Sequence, residues 1–239
     1  MKKLVVITGA SSGIGMELAR RFSAEGHPVL MLARRREVME ELNLPNSLCR
    51  SVDVTDLEAM QSAVREAEEL YGKTDLLINC AGLMLLGYPA EQDFDEWSRM
   101  IDVNVKGVLT GTKAVLSDMI ARNEGTIINI GSIAGRKTFD NHSVYCGTKY
   151  AVHAMTESMR REVSGSNVRM IVIAPGVVET PLLSHTSNQE IKDNYNLWKQ
   201  EIDGGLEPSQ IADCAWFAYQ MPQEVCVREI VIAKTKQAD

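Results

Sequence analysis

Short apolar runs recur along this chain, each closed by a turn signal and followed by apolar positions at helical spacing. Residues 3–7 form the first run, ended by Thr8-Gly9. An apolar, β-branched run without alternation reads as a strand buried on both faces, as in a parallel sheet. Ile14, Leu18, Ala19 and Phe22 then mark a helix, stopped by Gly26 and Pro28. The cycle repeats with strands at 28–33, 48–52, 75–78, 125–130 and 168–174, and a closing strand at 229–233. Between them, Thr55 or Asp56 caps a helix running to about 70, with Leu57, Met60, Val64 and Ala67 on one face. Further helices are predicted over 94–122, up to about 163, and from Pro208 to about 219. Such alternation predicts one α/β domain over residues 1–239, a Rossmann-type, doubly wound parallel sheet of about seven strands with helices on both faces. Two segments depart from the pattern. Residues 83–88 make an unusually apolar loop, either core or the floor of a pocket, and the polar excursion 177–206 with His185, Tyr195 and Trp198 reads as a substrate lid.

Composition narrows the partners. The chain has 239 residues, 45% of them hydrophobic, with net charge −7 and no basic run of five or more. This balance argues against nucleic acid or an anionic membrane as the main partner. No apolar stretch approaches the roughly 18 residues that span a bilayer, and the first apolar run breaks at Thr8-Gly9 without a signal-peptide cleavage site. The odd set Cys49, Cys80, Cys146, Cys214 and Cys226 contains no C-x-x-C pair, which fits reduced thiols in a cytoplasmic protein. Four scattered histidines lack metal-site spacing, so no metal is expected.

Candidate chemistry lies at the ends of the predicted strands. Gly9, Gly13 and Gly15 stand between a strand and a helix start, where backbone N–H groups and the helix dipole favour a phosphate. After the second strand come Arg34-Arg35-Arg36, with no acid before Glu37. In dinucleotide folds an acid at this point binds the ribose 2′-hydroxyl and arginine accommodates a 2′-phosphate, so NADP(H) is favoured over NAD(H). Tyr145 precedes Lys149 by four residues, one turn apart on one helix face, where a cation lowers a phenol's pKa. On spacing alone, a half-buried tyrosine beside a solvated lysine is the simpler reading. Asn104 is a poor helix former inside a well-patterned helix and needs a hydrogen-bonding reason. Gly9, Arg34, Asn79, Ser132 and Gly176 follow five different strands, and ligands of doubly wound sheets bind at that carboxyl edge.

These motifs together resemble the short-chain dehydrogenase/reductase family, in its single-domain branch. Thr8-Gly9-Ala10-Ser11-Ser12-Gly13-Ile14-Gly15 fits the TGxxxGIG turn. Asn79-Cys80-Ala81-Gly82 fits the NNAG segment, with Cys80 in place of the second asparagine. Asn104, Ser132, Tyr145-x-x-x-Lys149 and Pro175-Gly176 with Thr180 complete the register. The resemblance implies that Tyr145 is the general acid or base, that Lys149 lowers its pKa and binds the nicotinamide ribose, and that Ser132 holds the substrate oxygen. Asn104 would hold a water linking Lys149 to solvent. Gly9, Ser11, Ser12, Gly13, Ile14 and Gly15 would cradle the pyrophosphate, and Arg34 and Arg35 the 2′-phosphate. Asp53 and Val54 would border the adenine, Asn79, Ala81 and Gly82 the adjoining ribose, and Pro175, Gly176, Val178 and Thr180 the carboxamide.

Other residues are read more plainly. Cys146 is expected to be a packing thiol. His142 and His185 either touch substrate or, the simpler reading, stand in surface loops, and Arg136 and Lys137 either pair with a substrate carboxylate or are solvated. The activity implied is hydride transfer between NADP(H) and a small carbonyl or alcohol. A cofactor-sensing module without turnover is the alternative from another class. An epimerase or dehydratase on nucleotide-sugars is disfavoured by the short chain remaining after Pro175. The closing segment is similar to relatives acting on 3-hydroxy acids such as serine, and family habit implies a homotetramer or dimer.

Overall fold

The structure is a computed structural model and describes residues 2–238. Seven parallel strands lie in one sheet in the order β3-β2-β1-β4-β5-β6-β7. They are β1 (Leu4–Thr8), β2 (Val29–Ala33), β3 (Ser47–Ser51), β4 (Thr74–Asn79), β5 (Gly125–Ile130), β6 (Val168–Pro175) and β7 (Glu229–Ile232). Every residue of β1, β2, β4, β5 and β6 is buried, whereas the edge strands β3 and β7 are partly open. This is the burial expected of apolar runs covered on both faces.

Alternation along each strand divides the core into two layers. Val5, Ile7, Val29, Met31, Leu76 and Ile78 face α1 (Gly13–Ala24) and α8 (Pro208–Gln220), where Phe22, Leu18, Ile211 and Trp216 fill the layer. Leu4, Val6, Leu30, Leu32 and Leu77 face the opposite way, against Met60, Val64 and Ala67 of α3 (Leu57–Tyr71) and Val115 and Met119 of α5 (Gly107–Ala121). Asp56, not Thr55, caps α3, accepting from the Ala59 N–H at 3.0 Å.

The helix predicted over 94–122 is interrupted. Residues Phe94–Ile101 form α4, Asp102–Lys106 open into a π turn, and α5 follows. Asn104 sits in that turn, 1% exposed, and its side chain accepts from the Leu83 N–H at 2.7 Å and donates to the Leu83 carbonyl at 2.8 Å. A polar side chain bonded away from its own helix accounts for the widened turn. The short α2 (Arg36–Glu40) starts at the arginines, and one helix that the sequence reading missed, α7 (Gln189–Glu201), lies within the excursion 177–206. The remaining helix, α6 (Ser143–Glu162), carries Tyr145 and Lys149.

The strand order reverses between β1 and β4, the place where such sheets bind ligands. A third apolar cluster lies beyond this edge. It joins Leu83–Leu86, Met100, Tyr145, Cys146 and Ile191, so the 83–88 loop is both core and pocket floor.

Candidate active site

A cavity of about 910 Å³ opens along the carboxyl edge of the sheet. One end is built by the turn after β1. Gly9, Ser11, Ser12, Gly13, Ile14 and Gly15 all line it. Gly13 has φ +50°, where a side chain is strained, and a Cβ on Gly15 would lie 2.3 Å from the Gly9 carbonyl oxygen. Ser12 precedes α1 without a side-chain cap, and the first turn holds no acid. Its backbone donors are therefore left for an anion.

Arg34 and Arg35 line the same end and are exposed, and the Arg35 guanidinium donates to the Ser11 hydroxyl at 3.2 Å. Arg36, the third guanidinium of the run, is ion-paired with Glu40 one turn along α2 and does not line the cavity. Asp53 and Val54 form the adjacent wall. The Asp53 carboxylate accepts from the Thr55 N–H at 2.9 Å and hydroxyl at 2.8 Å, which holds its pKa low. Ala81 and Gly82 follow β4 into the cavity, their entry fixed by the Thr8 hydroxyl, which accepts from the Cys80 and Ala81 N–H groups at 3.0 and 3.2 Å. Thus a backbone-to-hydroxyl clamp supports the segment where Cys80 departs from the expected asparagine.

At the other end, Ser132 follows β5 and faces Tyr145 and Lys149 of α6, all three lining the cavity. The Ser132 hydroxyl accepts from the Ala134 N–H at 3.0 Å, and the Lys149 ammonium donates to the Ile130 carbonyl at 2.9 Å. Pro175, Gly176, Val178 and Thr180 complete the wall after β6.

Electrostatics here differ from the expectation of a phenol tuned downward. Burial pushes Tyr145 up to about 12, and the hydrogen bond with Ser132 pulls it back only in part. Lys149 stands 5.8 Å from the phenol ring centroid, and burial lowers its own pKa from 10.5 to about 8. Desolvation outweighs the attraction at that separation. At neutral pH the phenol is protonated and the amine still largely an ammonium.

That depressed lysine value has a measurable consequence. Between about pH 8 and 10.5 the unfolded chain holds the Lys149 proton and the folded chain does not, so stability rises with pH across this window. Lys149→Met removes the contribution. Thermal melts of both proteins at pH 7.5 and 9.5 should show the variant's advantage shrinking as pH rises; parallel changes would rule out a depressed Lys149.

Two expected residues are displaced from the cavity. Asn79 does not line it: its side chain turns the other way from β4, donating to Asn129 Oδ1 at 2.8 Å, and its Oδ1 would lie 2.2 Å from a Cβ on Gly111. Alternation along the strand decides this, since Asn79 faces α5. Asn104 also lies behind the wall. Its amide is held by Leu83 and donates to the Thr148 hydroxyl at 3.1 Å.

The comparisons with known proteins agree with this geometry. The family model described as short chain dehydrogenase matches residues 3–191. This chain belongs to the short-chain dehydrogenase/reductase family. It is an oxidoreductase of that family. An uncharacterized oxidoreductase of Staphylococcus saprophyticus is 40% identical over 243 residues, covering 99% of this chain and 97% of the relative. The closed form of a serine dehydrogenase complexed with NADP+ superposes with a TM-score of 0.90 at 31% identity, over 99% of this chain and 96% of that one. An actinorhodin polyketide ketoreductase with NADPH gives a TM-score of 0.86 at 27% identity, over 100% and 98% of the two chains.

Several residues of this short-chain dehydrogenase were misjudged or missed in sequence. Of the two readings open for His142 and His185, the structure favours the site, since both line the cavity. Arg136 does not reach it: its guanidinium is ion-paired with Glu229 of β7. Lys137 lies over the Phe139 ring, 5.1 Å from its centroid, and is not a lining residue. Cys146 is a buried packing thiol, as expected. Gln237, near the chain's end, lines the cavity and accepts from the Val177 N–H at 3.1 Å; no local pattern marks it. His153 supports the serine from behind, its Nε2 accepting from the Ser132 N–H at 3.4 Å and its Nδ1 lying 3.3 Å from Glu229. Among the described residues no helix is long and apolar enough to cross a membrane, and no cluster of three His, Cys, Asp or Glu side chains could hold a metal.

Proposed function

We propose that the chain transfers a hydride between NADP(H) and a small-molecule carbonyl or alcohol, with Tyr145 giving or taking the proton. One observation carries this reading. A buried phenol, hydrogen-bonded to a serine hydroxyl, stands in the same cavity as an uncapped glycine turn and two exposed arginines. The ends of the cavity fit the ends of a phosphorylated dinucleotide, because the uncapped α1 N-terminus, with no acid in its first turn, and two arginines gather at one and proton-transfer groups at the other. When bound, the nicotinamide supplies or accepts the hydride; orientation and proton transfer fall to the chain.

In reduction the Ser132 and Tyr145 hydroxyls would bind the carbonyl oxygen, and the phenol would pass its proton to that oxygen as charge develops. Lys149, still cationic at neutral pH, would offset the charge left on the phenolate. In oxidation the same proton would return to Tyr145. Asn104 would act through position. Its three hydrogen bonds to Leu83 and Thr148 support a role in fixing the pocket floor and α6. Residues 177–206 would close over the ligand as a lid, held at their ends by the Val178–Leu206 bridge. Exposed Ile101, Leu109 and Tyr150 on the helices around Asn104 and Tyr145 support assembly of a homo-oligomer there.

Turnover of NADPH with a panel of aldehydes and ketones, and of NADP+ with alcohols, tests the activity. Tight NADPH binding without turnover of any member would favour the sensor module instead. The 2′-phosphate contact has its own test. A charge-assisted hydrogen bond contributes about 1.5–3 kcal/mol, so Arg34→Asp is expected to weaken NADPH by at least about 10-fold while NADH binding changes little. Equal weakening of both, measured by cofactor fluorescence titration, removes that role.

A further inference from the structure

We infer that the substrate is an uncharged carbonyl or alcohol carrying an apolar, ring-sized group, and that this pocket discriminates against carboxylated substrates. The inference rests on the oxidoreductase reading and concerns the space in front of Tyr145. Its floor is Leu83, Met84 and Leu86, all buried within the third apolar cluster. Its sides are Phe139, Ile191, Tyr195 and Trp198, with Trp198 edge-on to Tyr195 at 5.5 Å between centroids. Aromatic and aliphatic walls of this kind gain by covering apolar surface and by edge or offset contact with a ring.

The polar groups at this end are wrong for an anion. The His142 ring stands between Tyr145 and Tyr195, at centroid distances of 6.1 and 6.3 Å. Its Nδ1 lies 2.6 Å from the Asp140 carbonyl oxygen, which fixes the proton on Nδ1 and leaves Nε2 as an acceptor. Burial lowers its pKa, so the ring is neutral at pH 7. The Asp140 residue itself lines the mouth. A carboxylate here would meet the His142 lone pair, apolar walls and neutral donors such as the Asn141 and Asn194 amides, but no uncommitted counter-charge.

The cations are committed elsewhere. Among the described residues, the lysines and arginines lining the cavity are Arg34, Arg35, Lys149 and Lys199. Arg34 and Arg35 belong to the glycine-turn end, where Arg35 meets Ser11. Lys149 donates to the Ile130 carbonyl, and Lys199 is paired at 2.8 Å with Glu179, which also accepts from the Gly205 N–H. Arg136 and Lys137, the two candidate partners for a hydroxy-acid carboxylate, do not line the cavity: Arg136 is bound to Glu229 and Lys137 lies over the Phe139 ring. A substrate carboxylate would lose its water without gaining a counter-charge, which is strongly unfavourable. In this respect the chain parts from what its likeness to a serine dehydrogenase would carry over.

The test uses matched pairs: benzaldehyde with 4-carboxybenzaldehyde, and butanal with succinic semialdehyde, each with NADPH, and benzyl alcohol with 4-(hydroxymethyl)benzoate using NADP+. The uncharged member of each pair is expected to have the higher kcat/KM, by about 100-fold or more, the scale on which an unpaired buried polar group is rejected. His142→Arg should narrow that gap at least about 10-fold by supplying the missing cation. Preference for the carboxylated members overturns the inference while leaving the oxidoreductase reading intact. Loss of turnover across every pair removes that reading, and the inference with it.

Discussion

Replacing Tyr145 with phenylalanine is expected to lower kcat by about 10²–10⁴-fold, the range attributed to general acid–base catalysis. The size follows from how few substitutes the cavity offers. The phenol is buried and held at about 12, so it is a proton donor throughout the physiological range. His142 is neutral, its proton turned toward the Asp140 carbonyl, and its ring centroid is 6.1 Å from that of Tyr145. Lys149 stands 5.8 Å from the Tyr145 ring centroid with one N–H held by the Ile130 carbonyl, placed to support the phenol's charge and not to replace it. Cofactor affinity should change little, because the substitution leaves the glycine turn and the arginines untouched. Stopped-flow or steady-state rates with a good aldehyde substrate, beside an NADPH titration of the same variant, decide the matter. Unchanged turnover would end the proposed mechanism. Lost turnover with lost NADPH binding would instead show that the tyrosine shapes the cofactor site.

The largest stability effect is expected at Phe22. Its ring is fully buried between α1 and α8, edge-on to His27, Trp216 and Tyr219 at centroid distances of 5.9, 5.4 and 5.6 Å. Truncation to alanine removes the ring from three partners at once and leaves a hole that close-packed neighbours fill poorly. Phe22→Ala should therefore cost about 3–5 kcal/mol, which for a domain of this size lowers the melting temperature by roughly 6–20 °C. Chemical denaturation with an unchanged m-value would show the loss to be one of stability. A cost below about 1 kcal/mol would mean that the aromatic layer repacks around the gap.

The glycine turn was legible because its requirement is local. A strand must end, a helix must start, and Gly13 must take a positive φ, all within a few residues. The buried strands were legible for a similar reason, since an uninterrupted apolar run leaves its residues one place to go. Asn79 shows where this stops. It lies one strand-end short of Ala81, which lines the cavity, and its side chain is buried against α5 and bonded to Asn129. Motif register carries the backbone position but not the direction of the side chain. Asn104 was flagged correctly as needing a partner, yet the partner, Leu83, lies 21 residues away on another element.

Sequence alone therefore determined the doubly wound sheet, the glycine turn, the run of arginines and the order of the Ser132, Tyr145 and Lys149 signals, each written in neighbouring residues. Tertiary structure decided what those groups can do. It retained Arg34 and Arg35 for the cavity while giving Arg36 to Glu40, and it tied Arg136 to Glu229, 93 residues distant. It also buried Tyr145 deeply enough that desolvation overrides the cation one turn away. The physical reason is the same in each case. Spacing along the chain sets which groups are near, but burial and counter-charges, assembled from distant segments, set their charge state and their partners.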